Sequence, residues 1–95
     1  MTVNWTESAL ADLEAIERHI ARHSPRYGRS LVERIFAKTE QLVAFPQLGA
    51  EVPEYADGSL RELIESSYRI VYRVYDTKVD IVAVIHGARR MPRKL

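Results

Sequence analysis

The chain has 95 residues, of which 46% are hydrophobic and 28% charged, with no cysteine and a formal net charge of +1. That is enough apolar content for one modest core, too much for a disordered chain, and too short for a multi-domain enzyme; a single domain over residues 1–95 is expected. Without cysteine there are no disulfides and no thiolate metal sites, and no basic–apolar leader or run of about 18 apolar residues is visible, so a cytoplasmic location with no membrane contact is expected. A core of this size is marginal, which makes a partner that covers apolar surface important.

The near-neutral total hides a split. Residues 1–66 hold seven Lys+Arg against eleven Asp+Glu, a net of −4, whereas residues 67–95 hold seven against two, a net of +5. A basic final third points to an acidic or nucleic-acid-associated partner, or simply to a well-solvated surface.

Along the chain, residues 2–5 are short and β-prone, and Thr6 offers an oxygen to cap a helix whose first residue, Glu7, suits the positive end of the dipole. Leu10, Leu13, Ile16 and Ile20 then recur at helical spacing, predicting a helix over 7–22. Ser24-Pro25 restarts the helix, with Ser as N-cap and Pro where its missing N–H costs nothing. Leu31, Val32, Ile35, Phe36, Leu42, Val43 and Phe45 give the second helix a broad apolar stripe, and Pro46 stops it. Two helices joined this tightly predict an antiparallel hairpin. Residues 46–59 lose all periodicity and read as a loop that is functional or anchored by its own side chains.

Three strands follow, over 60–65, 68–75 and 79–86, with breaks at Ser66-Ser67 and Asp76–Lys78 short enough for antiparallel hairpins. Alternation puts Tyr68, Ile70, Tyr72 and Val74 on one face and Arg69, Val71, Arg73 and Tyr75 on the other. Pairing Val74 with Ile81 and Tyr72 with Ala83 completes an apolar face of Val79, Ile81, Ala83 and Ile85 for the helices to cover. The same register sets Arg69 opposite His86 on the outer face. Residues 87–95 read as a polar, basic tail that leaves the sheet on a hinge at Gly87. The resulting class is α+β: an N-terminal strand, then a helical hairpin packed on one face of a small antiparallel sheet.

The expected cluster of Arg69, Arg73, Tyr75 and His86 is the most informative. Two guanidiniums and an imidazole are parts of a metal-free ribonuclease, in which cations hold the phosphate and side chains move two protons. Only Tyr75 or Glu62 is available for the second proton, so the set is incomplete; the competing reading gives the arginines to acidic groups of a partner. His19 and His23, one turn apart on the first helix, have metal-ligand spacing but no third ligand beside them, so solvent exposure is expected and no metal is assigned.

The N-terminal strand, the helical hairpin, Phe45-Pro46-Gln47-Leu48-Gly49, Leu60-Arg61-Glu62-Leu63, Tyr68-Arg69-Ile70-Val71-Tyr72-Arg73-Val74 and His86-Gly87-Ala88-Arg89-Arg90 together resemble the RelE/ParE toxins of bacterial type II toxin–antitoxin systems over essentially the whole chain. The resemblance implies one of two activities. RelE-like members cut mRNA in the ribosome with a strongly basic sheet face; ParE-like members poison DNA gyrase and catalyse nothing. This chain lacks the dense lysines of the first kind and an aromatic hydroxyl after the last strand. His86 matches a position where some nuclease relatives carry a catalytic histidine and where ParE-like members often have one too. The long helices and the H-G-A-R-R end are similar to ParE-like members, so growth inhibition through gyrase, without a cofactor, is expected, together with a role in plasmid stabilisation. A ribosome-dependent endoribonuclease using Arg69, Arg73 and His86 is the alternative, and an inactive interaction module a further one. The resemblance also implies a cognate antitoxin whose C-terminal segment wraps the toxin, with operator DNA contacted only through it; the charge split and the exposed strand edges predict that this segment covers the helical hairpin and a sheet edge and presents acidic groups to Arg69 or Arg73. Target or antitoxin binding is assigned to Arg61, Arg69, Arg73, Tyr75, His86, Arg89 and Arg90.

Overall fold

Strand β1 (Thr2–Trp5) leads into helix α1 (Glu7–Ala21), and the Thr6 hydroxyl caps that helix by accepting from the Ala9 N–H at 3.1 Å. The same hydroxyl donates to the Ile81 carbonyl at 3.0 Å, so the cap also moors the helix start to the sheet. Helix α2 (Pro25–Glu40) begins as its sequence requires, with Ser24 accepting from the Tyr27 N–H. It tightens into a 3₁₀ turn at Gln41–Val43 before Pro46. Strands β2 (Ala50–Glu51), β3 (Arg61–Glu65), β4 (Tyr68–Val74) and β5 (Lys78–His86) complete the chain. This computed structural model describes residues 1–55, 58–89, 91, 92 and 95.

The five strands form one sheet in the order β1-β5-β4-β3-β2. The expected α+β class and element order hold, but the sheet is mixed: β1 runs parallel to β5, with Val3 beside Val79 and Trp5 beside Ile81, while the other pairs are antiparallel. The two-residue β2 inside the predicted 46–59 loop was not expected. No described helix is long and apolar enough to cross a membrane.

The helical hairpin buries Ala9, Leu13, Leu31, Ile35 and Leu42 against Leu63, Ile70, Tyr72, Val79, Ile81 and Val84. Leu10, Phe36, Val43 and Phe45, expected on the buried stripes, are instead exposed, whereas Ala9 and Thr39 are buried. The Phe45–Gly49 turn is held from the sheet. The Tyr72 hydroxyl accepts from the Gly49 N–H at 2.8 Å and donates to the Pro46 carbonyl at 3.0 Å, and Arg61 donates to the Gly49 carbonyl at 2.7 Å. Burial pushes the Tyr72 phenol up from its ordinary pKa. A Cβ on Gly49 would meet the Glu62 backbone oxygen, so no other residue fits there.

The predicted β4–β5 register needs correcting. Tyr75 and Lys78 close a two-residue turn, Val74 pairs with Val79 and Tyr72 with Ile81. The next pair is Val71 with Ala83, so Val82 is an extra residue in β5, a β-bulge. Upstream of it, Val79 and Ile81 face the helices as expected. Downstream the parity inverts: Val84 packs with the helices, whereas Ala83 and Ile85 join a second cluster on the outer face with Val52, Leu60, Val71 and Met91. His86 consequently sits opposite Tyr68, and Arg69 opposite Ile85 rather than His86.

The tail is also different from its expectation. Met91 is only 6% exposed in the outer cluster, Leu95 packs against it, and the Tyr55 hydroxyl donates to the Pro92 carbonyl at 2.6 Å. Of the residues described beyond Arg89, Met91 and Leu95 thus lie against the outer face of the sheet.

Candidate functional site

The bulge at Val82 divides the expected site. Arg69 and Arg73 stay on the outer face with Val71, while His86, shifted by one parity step, lies on the other side at the sheet's end. Its ring meets Tyr68 edge-on at 5.4 Å between centroids, and its Nδ1 accepts from the Ala88 N–H at 3.2 Å, which in the neutral ring leaves the proton on Nε2. The phosphate-gripping arginines and the proton-moving imidazole are not brought together.

Arg69 is committed within its own chain. Its guanidinium donates to Glu62 through Nε and Nη2, and to both carboxylate oxygens of Glu54 at 2.9 Å. The Arg69 and Glu62 side chains are each only 12% exposed. Glu62, on the same outer face, is reached across the hairpin, because Ile64 pairs with Arg69 and the alternate residue Glu62 lies diagonal to it. Glu54 comes from the loop between β2 and β3. This two-carboxylate grip raises the Arg69 pKa still further, and the Arg69 hydrogen bonds, aided by one from the loop backbone, hold the Glu54 carboxyl at about 2. Glu62, the alternative proton donor of the sequence reading, is part of this latch.

The remaining candidates divide between scaffold and surface. Arg61 holds the Gly49 carbonyl; Arg73 lies across from Asp80 and donates to the Leu95 carbonyl at 3.2 Å. Tyr75 is exposed beneath the Lys78 ammonium, 4.9 Å from its ring centroid. Arg89 is exposed, and its N–H donates to the His86 carbonyl. Arg90 lies outside the described residues.

His86 and Arg89 line an open cleft of about 1060 Å³ between α1 and the end of β5, together with Arg18, His19 and Arg22. The sequence reading passed over the two α1 arginines; their i, i+4 spacing, which puts them on one helix face, was the available signal. His23, paired with His19 in that reading, is exposed and is not among the residues lining this cleft. Glu54, Tyr55 and Met91 were also missed, since none belongs to a periodic segment.

Comparison with known proteins agrees over nearly the full length. The sequence model of the family described as the ParE toxin of the type II toxin–antitoxin system parDE matches residues 3–91. A protein named Toxin RelE2 from Caulobacter vibrioides is 38% identical over 88 residues, covering 92% of this chain and 96% of its own. Among solved structures, the chromosomal ParDE system from P. aeruginosa superposes with a TM-score of 0.71 at 27% identity, covering 90% of this chain and 95% of that one. The toxin–antitoxin complex RelBE2 from Mycobacterium tuberculosis gives 0.59 at 27% identity, with the same coverages. Together with the mixed sheet under a helical hairpin, these matches establish that the chain belongs to the ParE toxin family within the RelE/ParE superfamily of type II toxin–antitoxin toxins.

Proposed function

We propose that this toxin acts by binding DNA gyrase rather than by cutting RNA, and that a cognate antitoxin neutralises it. The separation of His86 from Arg69 and Arg73 carries this reading: a metal-free phosphodiester cleavage on the outer face needs those groups around one phosphate, and the bulge places them on opposite sides. Two further features support it. Arg69 is already neutralised by Glu54 and Glu62, and the outer face is occupied by the Val52, Leu60, Val71 and Met91 cluster. A poison that works by binding needs only shape and surface charge, to which the exposed Arg89 contributes.

An antitoxin partner is supported by the structural neighbours, a ParDE toxin–antitoxin system and a RelBE2 toxin–antitoxin complex. Leu10, Phe36, Val43 and Phe45 on the helical hairpin are the apolar surface it would cover. Arg69 is not free to meet its acidic groups, which leaves exposed cations such as Arg89 for that role.

One observation favours the ribosome-dependent endoribonuclease as the second reading: His19 and His86 line the same cleft as Arg18, Arg22 and Arg89, and the relative from C. vibrioides is named RelE2. Induction of the chain in a bacterial host separates the two. Gyrase poisoning gives an SOS response and gyrase-linked DNA breaks with intact mRNA; cleavage of ribosome-bound mRNA without DNA breaks would overturn the first reading.

A further inference from the structure

Of the basic cleft, the gyrase reading uses Arg89 alone. Arg18 and His19 lie in the last turn of α1 and Arg22 caps its end, while His86 ends β5 and Arg89 follows it; all five line the cleft. Among the described residues none of these arginines makes an ion pair, in contrast to Arg34 and Arg69. Among the described side chains lining the cleft, the one carboxylate is Asp12, which accepts from the Val84 N–H at 3.0 Å. Two tyrosines, Tyr27 and Tyr68, lie among these cations, and Tyr27 is 45% exposed.

We infer that this cleft is a docking site for a single-stranded polynucleotide, held through its phosphates by Arg18, Arg22 and Arg89 with bases resting on the tyrosines. Unpaired cations interleaved with aromatic rings are the means by which single strands are held without sequence preference. The rival occupant, an extended acidic peptide, would add to the open edge of β5 beyond Ile81, where β1 ends. That edge is blunted: Asp12 takes the Val84 N–H, and the Arg89 N–H takes the His86 carbonyl. A peptide strand therefore finds little ladder to join, whereas a polyanion needs none. A duplex presents its phosphates on a convex cylinder that meets one wall at a time; a single strand can lie between both walls. The inference does not rest on gyrase or the ribosome as target, and its failure would leave the gyrase reading standing.

The test is fluorescence anisotropy on the full chain, with labelled DNA and RNA oligonucleotides of about 12 nucleotides and a duplex of the same sequence. The cleft pair Arg18→Glu/Arg22→Glu is compared with Arg26→Glu/Arg29→Glu, an equal charge change on exposed α2 positions. Single strands, of either sugar, should bind more tightly than the duplex. The cleft pair should weaken them at least about tenfold and flatten the plot of log affinity against log salt by about 1.4, the share of two phosphate contacts. The α2 pair should cost less than about threefold, because bulk charge alone is a smaller effect. Arg18→Gln/Arg22→Gln, which adds no negative charge at the helix C-terminus, and Arg89→Glu repeat the test if the reversal melts early. Equal loss from both pairs, tighter binding of the duplex, or equal competition by polyglutamate would overturn the inference.

Discussion

The sheet is closed on both faces, and the two closures differ in kind. On the helix side, an apolar stripe from each helix meets the alternating residues of β3, β4 and β5, and among the described residues no charged side chain is buried there. On the outer side a smaller apolar cluster of Val52, Leu60, Val71, Ala83, Ile85 and Met91 is bordered by the Arg69 latch, with Tyr55 and Leu95 packed against it. The first closure is written in helical and strand periodicity. The second relies on single residues in segments without periodicity. The sheet arginines that looked like ligand-binding groups hold this second closure together, and the cations without an ion pair among the described residues include Arg18 and Arg22 around the end of α1, Arg26 and Arg29 on α2, and Arg89 after β5.

Arg69→Met tests that division most severely. It leaves Glu62 buried without its partner, and about 3 kcal/mol of stability should be lost in urea unfolding. A loss below about 0.5 kcal/mol, typical of a surface pair, would mean that Arg69 is available for a ligand after all. Met91→Ala should cost about 2 kcal/mol if the tail is an integral part of the outer cluster, and nothing measurable if the tail is merely resting there.

The helix side was legible in advance because its signals are local. Thr6, Ser24-Pro25 and Pro46 mark the helix ends through capping and missing donors, and Ser66-Ser67 marks the first hairpin break. The bulge was not, because Val82, Ala83, Val84 and Ile85 are all apolar, and a run with both parities filled carries no alternation to read. The Arg69–Glu62 pair was recoverable from the β3–β4 register, whereas Glu54 sits in a loop and Met91 within a run of basic residues, where neither has a pattern to announce it.

A third test uses pH. The Glu54 carboxyl is held at about 2, below its ordinary 4.5, so its contribution to stability is full above about 4.5 and is lost as pH falls toward 2. Melting temperature should therefore fall more steeply through that window in the parent than in Glu54→Gln, which has no carboxylate to protonate. Parallel curves would show that the loop is not latched. The smallest effect is expected at Ser66, whose φ of 56° suits glycine at the first position of a two-residue hairpin turn. Ser66→Gly should raise stability by about 0.5 kcal/mol, the strain relieved slightly exceeding the entropy added to the unfolded chain.

The most direct measurement is the growth inhibition produced by His86→Ala, with melting temperature and antitoxin binding checked on the same protein. A toxin that binds its target loses little when one exposed imidazole is removed, so inhibition should stay within about tenfold of the parent. A nuclease that moves a proton through His86 should lose about 10²–10⁴ in rate. Abolished inhibition in a variant that still folds and still binds its antitoxin would contradict the gyrase-binding reading and place His86 at the centre of an RNA-cleaving site.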